Sequence, residues 1–257
     1  MAAKTRKNSI YVIYEGDREG AFLEHLAANS NVRLNSKPCN GGSADQIVTN
    51  GIKNSYTDVK VYVFFDEDFE SKPGYTISDE ALEGLSKSWD IDRNVLKGCE
   101  YRNLQTLNTS FRNPILIISY PQSIEGFLLR LMGIPLQDLE NKTTQQLKHT
   151  LASHLDTTVL YDEDKEKMRD YDTKISKYSN EIARLKQNEP QNKKHCQFLE
   201  AKIREYKRYK SKVQFMRFLN EKLPLSVIDA KREDVPEAGI LLEAFGFVKV
   251  TNNNPGP

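Results

Sequence analysis

The sequence predicts an α/β fold: a mostly parallel sheet flanked by helices, with a C-terminal antiparallel helical hairpin. Three observations carry this. Short apolar runs recur at Ser9–Tyr14 (SIYVIY), Val59–Phe65 (VKVYVFF) and Pro114–Ser119 (PILIIS), and two of them show no polar alternation, as expected for strands buried on both faces. Segments with helical spacing separate them, which is the βαβ pattern of parallel sheets with right-handed crossovers. Beyond about residue 160 the pattern becomes a heptad seam.

The elements follow in order. After the first strand, Phe22, Leu23, Leu26 and Ala27 mark one face of a helix over Glu19–Ala28. Val32–Leu34 is a second, weaker strand. Asn40-Gly-Gly-Ser43 is a turn ending in an N-cap, and a helix runs from it to about Ile52. The strand over Val59–Phe65 ends in Asp66-Glu67-Asp68, and residues 69–76 form a loop. Ser78 caps a helix over 78–89. Residues 90–113 carry no clear period. After the strand at 114–119, Tyr-Pro-Gln-Ser leads into a helix that holds Glu125.

In the second half, Met168, Tyr171, Ile175, Tyr178, Ile182 and Leu185 step by three and four. Asn188–Asn192 breaks that helix, and Leu199, Ile203, Tyr206, Tyr209, Val213 and Met216 line the next. The two form a hairpin over about 163–187 and 193–222, closed by Pro224. A short helix over 234–245 stops at Gly246, Phe247–Val250 is a return strand, and TNNNPGP is a frayed tail. The expected domains are 1–160 for the α/β part, 161–224 for the hairpin, and 225–257 returning to the core.

Composition narrows the function. Of 257 residues, 38% are hydrophobic and 28% charged, which supports a folded core rather than disorder. The net charge of +1 gives no global field toward nucleic acid, so any basic surface is local. Three scattered cysteines without a CxxC spacing argue against a disulfide framework or a zinc ribbon. No stretch approaches the roughly 20 apolar residues of a membrane span, and no apolar signal region follows MAAKTRKNS. A cytoplasmic protein is expected, with no membrane partner. His149 and His154 share no helix face and make a poor zinc pair, and His25 and His195 suggest no partners. No P-loop, GxGxxG or GxSxG element is present.

The acids carry the chemistry. Glu15 follows the first strand, Asp66 and Asp68 the next strong one, and Glu125 lies shortly after a third. Ligands of open α/β sheets bind beyond the carboxyl ends of the strands. Several carboxylates in one crevice repel and raise one another's pKa. A hard divalent cation relieves this, and Mg²⁺ takes one or two carboxylates plus substrate phosphate. A single acid at a strand end is ordinarily a turn or cap residue; their joint occurrence is what points to a site.

Strand-Glu15-Gly16-helix followed by strand-Asp66-x-Asp68 resembles the Toprim domain, the metal-binding catalytic fold of topoisomerases, DnaG-type primases, OLD-family nucleases and small maturation ribonucleases. The resemblance covers about residues 8–135. It implies that Glu15, Asp66 and Asp68 bind Mg²⁺ (or Mn²⁺), that Glu15 is a ligand or a general acid/base, and that Glu125 completes the catalytic set. Gly16 lets the chain turn into the helix, and Glu19 either supports the ligands from behind or suits the helix dipole. Glu15-Gly-Asp-Arg-Glu19, DEDF and Ser119-Tyr-Pro-Gln-Ser-Ile-Glu125 are similar to RloB-like proteins and to AriB-like effectors of the PARIS antiphage system. That implies a nuclease of antiviral defence and abortive infection. It would cut RNA, tRNA being favoured, or DNA, under a separate AriA/RloA-like ATPase. The rival expectation is a catalytically weak Toprim-fold module that docks on such an ATPase.

From Lys193 to Lys222 ten Lys/Arg face three Glu, with Tyr206 and Tyr209 interleaved. Arg204, Lys207, Arg208, Lys210 and Lys212 are candidate phosphate contacts. A solvated helix with its tyrosines in the seam, or an arm for docking or homodimerisation, fits the same residues.

Overall fold

A computed structural model describes residues 9–248 apart from 41, 57–58, 68–76, 98, 100–103, 105–111 and 189–191. The chain divides into two units, one of residues 1–152 with 222–257 and one of residues 153–221.

The first unit is built on a four-stranded, all-parallel sheet. Its strands are β1 (Ser9–Tyr14), β2 (Arg33–Pro38), β3 (Val61–Asp66) and β4 (Ile115–Ser119), in the order β2-β1-β3-β4. Helices α1 (Asp17–Ala28), α2 (Ala44–Asn54), α3 (Asp79–Trp89), α4 (Arg93–Leu96) and α5 (Ile124–Leu131) connect and follow them. The α/β architecture predicted from the strand runs is therefore present. The chain runs from β1 outward to β2, then returns to β1's other side for β3 and β4. The order reverses between β1 and β3, and such a switch point opens a crevice at the strands' carboxyl ends.

The sheet is covered on both faces because β1, β3 and β4 are apolar on both. One face carries Ile13, Val63, Phe65, Leu116 and Ile118, packed with Ile47, Val48 and Ile52 of α2 and Leu82, Leu85 and Trp89 of α3. The Trp89 indole N–H donates to Pro114 O at 3.2 Å, so the ring is buried without losing its hydrogen bond. On the other face Phe64 meets Phe127 of α5, which meets Phe22 of α1, both edge-to-face at 5.9 and 5.4 Å.

Helix starts follow the sequence signals. Ser43 Oγ accepts from Gln46 N at the head of α2, and Ser78 Oγ from Ala81 N at the head of α3. Three expectations need correction. The second strand is longer than Val32–Leu34: the polar RLNSKP pairs with β1 from Ser9↔Arg33 to Tyr14↔Pro38. As an edge strand, much of it is exposed and it needs few apolar residues. The expected return strand is not formed at Phe247 and Val248; residues 249–250 lie outside the described set. After a short helix α9 (Leu225–Ala230), helix α10 (Pro236–Ala244) ends in a Schellman motif. Gly246 has φ +80 and donates to Glu243 O, and Phe247 N donates to Leu242 O at 2.8 Å. Phe247 O then accepts from the Arg232 guanidinium, so its backbone is satisfied without a sheet. His25 is also not partnerless: its Nε2 lies 3.0 Å from Leu223 O, tying α1 to the C-terminal segment.

The second unit holds two long helices, Asp162–Asn188 and all but the last residue of Lys193–Lys222; in the numbering here α6 is Thr144–Asp156 and these are α7 and α8. Ile182 and Leu185 pack on Cys196 and Leu199 near the turn, joined by Tyr178 and Ile203. Further along, Tyr171 lies against Tyr206 and Tyr209 with centroids 5.8 Å apart in both pairs. Arg217 grips Asp164 through Nε and Nη2 at 2.9 and 2.8 Å and stacks on the Tyr161 ring. Among the described residues no helix is long and apolar enough to cross a membrane.

Candidate functional site

Glu15 leaves β1 at its carboxyl end, and Asp66 is the last residue of β3. The two strands are paired, with Tyr14 opposite Phe64, so both acids stand at the switch point. The Asp66 N–H donates to Glu15 Oε2 at 3.0 Å. In turn Asp66 Oδ1 accepts from Ile124 N at 2.7 Å, at the first residue of α5. The Glu15 carboxylate thus links β1 to β3, and the Asp66 carboxylate links β3 to the segment after β4.

That segment is fixed from several sides. Gln122, at φ 61, donates its N–H to Glu67 Oε2 at 3.0 Å. Gly126 packs so tightly that a Cβ there would lie 2.2 Å from Pro121 O, a backbone atom that cannot yield. Arg130 donates to Tyr120 O at 3.1 Å, to Glu237 Oε1 at 2.9 Å and to Asp234 O at 3.0 Å. It therefore anchors the Ser119–Glu125 turn to α10 through a buried ion pair.

Glu19 and Glu125 complete the cluster. Both are almost fully buried, at 3% and 2% exposure. Glu19 Oε2 accepts from Gly16 N at 3.1 Å, capping α1 from within, and its carboxyl shares a hydrogen bond with Asp66. Glu19 is thus more than a surface acid at a helix dipole. Gly16 itself is extended, at φ −136, a conformation open to any residue. Its constraint is space, because a Cβ would come within 3.1 Å of Glu19 Oε2. Glu125 Oε1 is paired with the Arg18 guanidinium. Its Oε2 is buried without a partner, as are the hydroxyls of Ser119 and Ser123.

The electrostatics match the geometry. Burial pushes Glu19 up from 4.5 to about 7, and the charges of Glu15 and Glu125 add to this. Burial also raises Asp66 well above the usual carboxylate range, with Glu19, Glu15 and Glu125 reinforcing the shift. These carboxylates share one crevice, and holding several negative charges there is costly. Among the described residues no three His, Cys, Asp or Glu side chains are arranged as ligands around one point. The carboxylate oxygens that would converge are instead held by the Asp66 and Ile124 amides and by Arg18.

The structure therefore brings together Glu15, Asp66 and Glu125, with Gly16 and Glu19 beside them; Asp68 lies outside the described residues. The basic candidates sit on α8 in the other unit. There Lys210 is ion-paired with Asp172 of α7, while Arg204, Lys207, Arg208 and Lys212 are exposed. Sequence reasoning missed Arg18, whose signal was a cation in the first turn of a helix, where the dipole disfavours it unless it is paired. It also missed Arg130, whose partner Glu237 is 107 positions away. No family model matches the chain, and neither a curated protein nor a solved structure matches it.

Proposed function

We propose that this protein is a divalent-metal-dependent endonuclease that hydrolyses phosphodiester bonds in RNA, tRNA being the favoured substrate, or in DNA. The observation that carries the reading is the Glu15–Asp66–Ile124 chain of hydrogen bonds, which gathers strand-end acids at the switch point of a parallel sheet. The donor set suits a hard cation: Glu15, Glu19 and Glu125 add to the raised pKa of Asp66, and buried Glu125 Oε2 has no partner. Glu15 and Asp66 would hold Mg²⁺ or Mn²⁺, with Asp68 as the further ligand expected from Asp-x-Asp. Bound there, the cation would neutralise the cluster and polarise a phosphoryl oxygen.

The chain's own residues do the rest. The Asp66 amide fixes the orientation of the Glu15 carboxylate, which would serve either as a metal ligand or as the base that takes the proton of the attacking water. Glu19 holds the Gly16 amide and so fixes the turn that presents Glu15. Arg18 pairs with buried Glu125 and adds positive charge where phosphate arrives. The resemblance to RloB-like and AriB-like proteins adds the setting, an antiphage effector restrained by a separate ATPase.

A second reading is favoured by the Arg18–Glu125 pair, because an arginine already supplies Glu125 with a cation. On it the fold is a catalytically weak module that docks on the ATPase. Expression of wild type and Glu15→Ala in bacteria, with and without a candidate ATPase, separates the two. The nuclease reading predicts fragmented tRNA or plasmid DNA with wild type and intact nucleic acid with Glu15→Ala, while ATPase binding is retained by both. Intact nucleic acid in every arm, with binding retained, supports docking.

A further inference from the structure

A cavity of about 510 Å³ lies at the carboxyl end of β2, lined by Lys37, Cys39, Gln46, Thr49, Asn50 and Lys53, with Asp45 and Glu80 also on its wall. It adjoins the acid cluster. Cys39 N donates to Tyr14 O at 2.8 Å, in the residue just before Glu15, and the Glu15 charge reaches the Cys39 thiol. Its volume falls in the range of small-molecule pockets, about 300–1,000 Å³.

The lining is unusual in how little of it is used internally. Lys37 and Lys53 are exposed and form no ion pair among the described residues. Gln46 and Thr49 make no side-chain hydrogen bond there, and Asn50 donates its amide to a weak acceptor, Cys39 Sγ at 3.9 Å. Asp45, by contrast, is engaged: its Oδ1 accepts from Ser78 N at 3.3 Å. Two cations, three neutral hydrogen-bonding groups and the acid Glu80 thus face one polar cavity beside the carboxylates. Ammonium groups suit a phosphate, and amide and hydroxyl groups suit the donor and acceptor edge of a base.

We infer that this cavity seats the nucleotide flanking the scissile phosphate, with its phosphate on Lys37 and Lys53 and its base against Gln46, Thr49 and Asn50. The inference rests on the nuclease reading for the neighbouring acids and names the substrate subsite beside them. A strand bound there would run from β2 across Glu15 to the crevice between β1 and β3.

The test is fluorescence anisotropy with labelled single-stranded RNA and DNA oligonucleotides, and with AMP as competitor. It uses full-length protein carrying Asp66→Asn so that the strand is not cut. The double variant Lys37→Ala/Lys53→Ala is expected to bind about tenfold more weakly, with the salt dependence reduced by about one to two phosphate contacts. Lys37→Arg/Lys53→Arg should restore binding, which a folding defect would not allow. Asn50→Ala should weaken binding severalfold and leave the salt dependence unchanged. Unchanged strand binding in the double variant overturns the inference. So does AMP binding lost in the double variant while strand binding persists, which marks a free-nucleotide site. Strand binding that depends on these lysines, in a protein that never cuts with its carboxylates intact, leaves the subsite standing and removes the nuclease reading.

Discussion

Raising the pH from about 4.5 to about 7 is expected to destabilise the metal-free protein relative to Glu19→Gln. The folded-state pKa of Glu19 is about 7 against an ordinary 4.5. Between these values the native state binds more protons at this site than the unfolded state, so stability falls as pH rises. The contribution is fully present below about 4.5 and is lost as pH passes through about 7. A shift of that size corresponds to on the order of 3 kcal/mol. Glutamine keeps an oxygen for the Gly16 amide but cannot ionise. Its melting temperature should match wild type near pH 4.5 and exceed it by about 5 °C or more at pH 8. Thermal melts in EDTA across that range check this, and parallel pH profiles for the two proteins would show that Glu19 is not a strained acid.

Asp66→Asn and Asp66→Ala are expected to part company. Both remove the charge at the centre of the cluster, and both should reduce cleavage by about three orders of magnitude or more. Their stabilities should differ. Asparagine retains an acceptor for the Ile124 N–H, which Asp66 Oδ1 now receives at 2.7 Å, and it relieves the repulsion with Glu15, Glu19 and Glu125. Alanine leaves that amide without its partner, a cost of about 1–3 kcal/mol. In metal-free buffer at pH 8, Asp66→Asn should melt above wild type and Asp66→Ala below Asp66→Asn. Equal melting of the two variants would mean that the Asp66–Ile124 bond does not hold the α5 entry in place.

Much of the framework is readable from residue pattern because burial on both faces leaves a strong trace. SIYVIY, VKVYVFF and PILIIS are strands for that reason, and the hairpin is legible because a heptad seam must repeat. Elements without that pressure are not. RLNSKP is an exposed edge strand with little apolar content, and α4 and α9 are too short to show a period. Phe247-Val-Lys-Val has strand composition, but the Schellman closure at Gly246 and the Arg232 hydrogen bond satisfy its first residues elsewhere. In the site, Glu15, Asp66 and Glu125 stand out because acids at the ends of apolar runs are conspicuous. The depth at which Glu19 is buried, the pairing of Arg18 with Glu125 and the anchoring of Arg130 on Glu237 are tertiary facts. They join residues far apart in sequence, and local pattern carries no record of them.

The central claim is that Glu15, Asp66 and their neighbours form one electrostatically coupled centre for a divalent cation. Isothermal titration of wild type and Asp66→Asn with Mg²⁺ and Mn²⁺, at about pH 6.5 in two buffers of different ionisation enthalpy, tests it most directly. The account predicts saturable binding to wild type with net proton release, as the raised carboxyls ionise on the cation, and no binding to Asp66→Asn. Absence of binding to wild type, or equal binding by both proteins without proton release, would contradict it.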